Sequence, residues 1–154
     1  MNVTNATEAK TTQEVQHLLR TVYFVRHGVA QHNVSSHDNR QDARYIDSKL
    51  ILKGQIQASR VGKLLSRELA STSSLLPETL KRIYVSPLTR CLQTASFLYQ
   101  SLCEENNENA QLRLTIHPIP VLCKEELREA YGVHFSDKRI QKSKLKVRLW
   151  LASY

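Results

Sequence analysis

Thr21-Val22-Tyr23-Phe24-Val25-Arg26-His27-Gly28 is a short apolar run that ends abruptly in an arginine, a histidine and a glycine. Residues 22–25 are β-branched or aromatic, as a strand covered on both faces requires, so the run reads as a buried strand that delivers chemistry at its tip. In open α/β sheets ligands sit just outside the carboxyl ends of strands, which is where Arg26 and His27 would fall. Gly28 lets the backbone turn sharply and a ligand come close. Taken alone, the stretch favours a plainer interpretation, a strand and an ordinary polar turn with His27 in solvent. The rest of the chain shifts that balance.

Before the run, residues 1–10 offer little to bury, and residues 11–20 read as a short helix, with Thr11 and Glu14 at capping-box spacing and Val15, Leu18 and Leu19 on one face. After it, residues 32–47 are rich in Ser, Asn, Asp and His, a loop beside the strand tip and a candidate site wall. Residues 54–71 predict a helix with Ala58, Val61, Leu65 and Leu69 inward and Arg60, Lys63 and Arg67 outward. Residues 82–85 predict a second strand. Ser86 and Pro87 then start a helix whose inner stripe is Leu88, Cys91, Leu92, Ala95, Leu98 and Leu102. Residues 104–109 read as an exposed acidic loop, 112–116 as a third strand, and 122–131 as a short helix stopped by Gly132. Strands alternating with helices imply an α/β fold: a three-layer α/β/α, doubly wound, mostly parallel sheet.

With 154 residues, 41% of them hydrophobic, the chain fits one domain with a real core. The net charge of +8 is uneven. From Lys138 onward there are six basic and no acidic side chains, which leaves residues 1–137 at a net of only +2, a nearly neutral body with a basic tail. Cys91, Cys103 and Cys123 are odd in number and widely spaced, which argues against a disulfide framework or a zinc knuckle and for a reducing compartment. The polar N-terminus lacks the apolar core of a signal peptide, and no apolar run approaches the ~20 residues of a membrane span. The expectation is a soluble, cytoplasmic protein with no membrane partner. His27, His32 and His37 recur every five residues without a carboxylate or cysteine partner at ligand spacing, so a metal site is not expected.

If the first two strands are near neighbours, Arg26 and His27 at one tip converge with Arg90 beyond the next. Two guanidiniums and an imidazole make an anion pocket, and phosphate suits it, because each arginine can grip two phosphate oxygens and a helix N-terminus adds N–H groups. The arginines also disfavour protonation of the imidazole, leaving it able to attack phosphorus. An acid is then needed for the departing oxygen, and Glu125, Glu126 and Glu129 form the nearest cluster.

Arg26-His27-Gly28 followed by Asn33, the stretch Gly54-Gln55-Ile56-Gln57-Ala58 after Asp47, and Val85-Ser86-Pro87-Leu88-Thr89-Arg90-Cys91-Leu92-Gln93-Thr94-Ala95 together resemble the histidine phosphatase superfamily, also called phosphoglycerate mutase-like. Leu127-Arg128-Glu129-Ala130-Tyr131-Gly132-Val133-His134, with Asp137-Lys138-Arg139, is similar to its plant and fungal branch. The resemblance covers about residues 21–139 and implies phosphoryl transfer through a phosphohistidine. In it His27 is the nucleophile, Arg26 and Arg90 are phosphate clamps, Glu129 is the proton donor, and Gly28 and Asn33 lie against the substrate. No cofactor or metal is implied, since the arginines supply the charge a magnesium ion would otherwise bring.

Departures accompany the resemblance. Val29 stands where many relatives are polar or acidic. The family's second pocket histidine, which follows a late apolar strand, has no counterpart in context among His32, His37, His117 and His134, so the sheet is expected to be incomplete at its C-terminal end. The domain division is then an extension over residues 1–20, a partial histidine-phosphatase-like domain over 21–139, and a basic tail over 140–154. That tail admits three interpretations: an amphipathic helix with Leu145 and Leu149 inward, an anion-attracting segment, or sequence foreign to the family, as in a truncated or altered gene product. The third, alone or mixed with the first, is favoured. Two functions follow: a phosphomonoester hydrolase or phosphoryl transferase, or an impaired remnant that binds phosphate or a partner protein without turnover. Nucleic-acid binding is a distant third, since Trp150 alone provides no aromatic interleaving.

Overall fold

The computed structural model describes residues 21–35, 41–71, 80–108, 119–130 and 132–141. The helix expected over 11–20, the strand over 112–116 and the tail beyond 141 lie outside the described residues.

Strand β1 (Ile83–Val85) runs into helix α2 (Thr89–Glu108), which returns the chain to strand β2 (Val121–Cys123). The strands pair in parallel, with Ile83 opposite Val121, Tyr84 opposite Leu122 and Val85 opposite Cys123. Pro120 contributes no N–H, but its carbonyl accepts from Ile83 N at 3.0 Å, and Lys124 N donates to the Val85 carbonyl at 2.9 Å. This β1–α2–β2 unit makes the architecture α/β, as the alternation of strands and helices implies. Helix α1 (Leu52–Ser71) packs along α2, and single 3₁₀ turns lie at Gln31–Val34, Ala43–Tyr45, Glu125–Leu127 and Phe135–Asp137.

Helix α2 buries Leu92, Leu98 and Leu102, with Leu88 just before it, on the expected stripe, and Val85 and Leu92 form a small core against Cys91, Ala95 and Ile140. On α1 the buried residues are Gly54, Ala58, Gly62, Ser66 and Leu69, while Val61 and Leu65 are only half-buried. The reason for this mostly small-residue face is the close approach of α2. A Cβ on Gly62 would fall on the Leu98 carbonyl oxygen, within 3.1 Å of the Ser101 Cβ as well. Arg67 completes the contact by donating from Nε and Nη2 to Glu105 Oε1 at 3.0 and 2.9 Å.

Three expectations are corrected. Residues 22–25 form no ladder, and Phe24 is 94% exposed. Composition established a suitable strand sequence, but a strand also needs a partner, and among the described residues the only strand pair is β1 with β2. Residues 122–131 are not a helix: the ladder to β1 engages the chain over 121–124, and a 3₁₀ turn follows. Residues 104–108 belong to α2 rather than to a loop, because Glu105 is drawn inward by Arg67. No helix among the described residues is long and apolar enough to cross a membrane.

Gly62→Ala should destabilise the protein by about 1–3 kcal/mol, since backbone must move to admit the methyl. Leu64→Ala, at a position 62% exposed, should change stability by no more than about 0.5 kcal/mol. Urea unfolding of the two variants checks the difference.

Candidate functional site

Residues 29–31 are stapled to 49–51: Ala30 bridges Leu50 antiparallel, Gln31 N donates to the Lys49 carbonyl at 2.9 Å, and Ile51 N to the Val29 carbonyl at 3.1 Å. A Cβ on Gly28 would collide with the Gly54 carbonyl, so only glycine lets the turn after His27 lie against the start of α1.

His27 Nδ1 lies 2.8 Å from the Gly28 carbonyl oxygen. A carbonyl can only accept, so Nδ1 carries the proton, and in the neutral ring the lone pair is on Nε2. Burial holds His27 below the ordinary histidine pKa of 6.5. The hydrogen bond to Gly28 opposes this, Arg90 and Arg26 add to it, and Glu129 pulls the other way. Gly28 N in turn donates to Thr94 Oγ1 at 3.1 Å.

The His32 ring lies beside that of His27, with centroids 6.0 Å apart. Asn33 sets its state. Asn33 Oδ1 accepts from Ala30 N at 2.9 Å, which turns Nδ2 towards His32 Nε2 at 3.0 Å, so Nε2 is the acceptor. Burial, then Arg90 and His27, lower the His32 pKa to about 4, against an opposing pull from Asp137.

Arg90, on the first turn of α2, is 1% exposed. Its Nη1 donates to the Ser136 carbonyl at 2.6 Å, and Nη2 to Glu129 Oε2 and Asp137 Oδ1, both at 3.0 Å, while Nε has no hydrogen-bond partner among the described residues. Asp137 is buried, whereas the Glu129 side chain is 64% exposed. The helix start that brings Arg90 here is held from outside. Asp47, in a left-handed backbone conformation (φ 50°), accepts from Thr89 N at 2.7 Å and Thr89 Oγ1 at 2.6 Å. Ser86, the cap expected from sequence, accepts only a long 3.5 Å bond from Leu88 N. The Thr89 N–H is therefore committed to a carboxylate rather than left for a ligand.

The residues singled out from sequence thus divide. Arg26, His27, Gly28 and Asn33 line a cavity of about 620 Å³ facing Ala58 and Val61 of α1. Arg90 and Glu129 do not line it; they pair with each other on the side where charge bears on His27. Arg26 is exposed. Sequence reasoning gave no role to Asp47, Thr94, Ser136 or Asp137. Thr94 alone carried a local signal, a hydroxyl four residues after Arg90, which can bond back to that residue's carbonyl.

A family model described as the histidine phosphatase superfamily (branch 1) matches residues 22–151 and so runs into the basic tail. Phosphoglycerate mutase-like protein 1 of Arabidopsis thaliana is 27% identical over 139 residues, covering 80% of this chain and 47% of the relative, so the chain spans about half that protein's length. No solved structure matches.

Arg90→Met should cost about 3–5 kcal/mol in urea unfolding, because Asp137 is left as an uncompensated buried charge. Acid should weaken the fold through His32. Between pH 6.5 and about 4 the unfolded ring takes up a proton that the folded ring refuses, so stability falls with pH across that window. His32→Asn should flatten this part of the curve.

Proposed function

Because the chain belongs to the histidine phosphatase superfamily, we propose that it transfers a phosphoryl group from a phosphomonoester through a phosphohistidine on His27. The observation that carries this reading is the His27 Nδ1–H···O=C bond to Gly28, which orients the ring and leaves the Nε2 lone pair to attack. A ring held below its ordinary pKa is unprotonated, and so nucleophilic, at neutral pH. Arg26, which lines the cavity, is the cation on hand for the phosphoryl oxygens, and Arg90 bears on the ring through its charge.

In the first step the Nε2–P bond forms as the P–O bond to the leaving group breaks, and the leaving oxygen takes a proton from Glu129. In the second, water attacks phosphorus, Glu129 takes its proton, the N–P bond breaks and phosphate departs. For the first step Glu129 has to leave its ion pair with Arg90 and carry a proton; its side chain is 64% exposed at that pair. If an alcohol replaced water as acceptor the same site would act as a transferase. Three free cysteines accord with a reducing, cytoplasmic setting.

One observation favours a second reading, an impaired phosphate- or partner-binding protein. Both terminal nitrogens of Arg90 are occupied, by Ser136, Glu129 and Asp137, so an incoming anion meets carboxylates around the cation that would hold it.

Turnover of para-nitrophenyl phosphate separates the two. On the catalytic reading His27→Ala lowers kcat by about 10⁴-fold, ³²P from a labelled substrate becomes acid-labile on the protein, and the acid limb of kcat/KM lies below pH 6.5. Phosphate binding without turnover favours the second.

A further inference from the structure

Two segments remote in sequence must keep register for this site to exist: the turn that carries His27, and the first turn of α2 that carries Arg90. One buried side chain joins them. Thr94, 5% exposed on α2, accepts from Gly28 N at 3.1 Å and donates its own proton to the Arg90 carbonyl at 2.8 Å. A hydroxyl both donates and accepts, and here it does both at once. The backbone carbonyl of the arginine is thereby linked, through one oxygen atom, to the amide next to the histidine.

We propose that Thr94 is a positioning residue that fixes the His27 turn against the Arg90 turn of α2, so that loss of its hydroxyl moves the imidazole away from the guanidinium. Its relevance to catalysis rests on the phosphohistidine reading, but its effect on the His27 ring does not. The groups that bear on that ring are Arg26 and His32 from its own segment, Arg90 from α2, and Glu129 from the loop beyond β2. Burial and both arginines lower the His27 pKa, and an unanchored turn lessens all three effects, so the titration midpoint should rise towards 6.5.

The variants are Thr94→Val, which keeps the shape without the hydroxyl, and Thr94→Ser, which keeps the hydroxyl. Each is read by NMR titration of the His27 ring and by para-nitrophenyl phosphate kinetics, with unfolding curves recorded alongside. The expected result is a His27 midpoint raised by about half a unit or more in Thr94→Val and at its wild-type value in Thr94→Ser. Where wild type turns over, kcat should fall up to about 100-fold in Thr94→Val and recover in Thr94→Ser. Should Thr94→Val not fold, Thr94→Ala removes the hydroxyl without placing a methyl against the Gly28 amide. An unmoved midpoint in a folded variant without the hydroxyl overturns the proposal, even if stability drops, since that is the signature of a merely structural hydrogen bond. A moved midpoint in a protein without turnover upholds it and instead removes the phosphohistidine reading.

Discussion

A guanidinium that is 99% buried must have its charge answered close by, and at Arg90 the answer comes from residues 129, 136 and 137. An unpaired ion in a protein interior costs several kcal/mol even after relaxation, so this cluster is a condition of the fold as well as a site. The first turn of α2, the loop beyond β2 and, through Asp47, the segment before α1 are drawn to one place. Asp47 reaches across 42 residues to Thr89 and also accepts from Ile140 N at 3.4 Å, so the same segments meet twice.

Much of this was legible in residue order. The α/β alternation, α1 and α2 nearly to their ends, and the strand before Ser86 follow from periodicity and from Pro and Gly positions, which report local preference directly. Pairing is different. Residues 22–25 have strand chemistry and no ladder, whereas residues 121–123, of which 122 and 123 read as the start of a helix, are captured by β1. Whether an edge is filled is decided by the partner, and no local pattern records the partner. The buried face of α1 was only partly located, with Ala58 and Leu69 inward as expected, for a related reason. Apolar spacing points to Val61 and Leu65, but the nearness of α2 selects glycine, alanine and serine.

Sequence blocks singled out His27, Arg26, Gly28, Asn33, Arg90 and Glu129 as candidates, but not their divided arrangement. The residues that set the geometry escaped because they act by shape and charge balance across long separations. Asp47 matters through a left-handed backbone and a carboxylate under a helix start, and Asp137 through neutralising a cation 47 positions earlier. His32 lacked the sequence context of a pocket histidine, yet the 3₁₀ turn at Gln31–Val34 folds it back beside His27. Neither imidazole favours its charged form there, and the charge of Arg90 bears on both.

The separation between Arg90 and Asp137 also bears on the order in which the chain can mature. Synthesis proceeds from the N-terminus, so α1 and α2 leave the ribosome well before residues 136 and 137. Until those residues arrive, the α2 end nearest Arg90 cannot close without entombing an unanswered cation. Ser136 and Asp137 are thus the bolt that lets this end of the helical pair go dry.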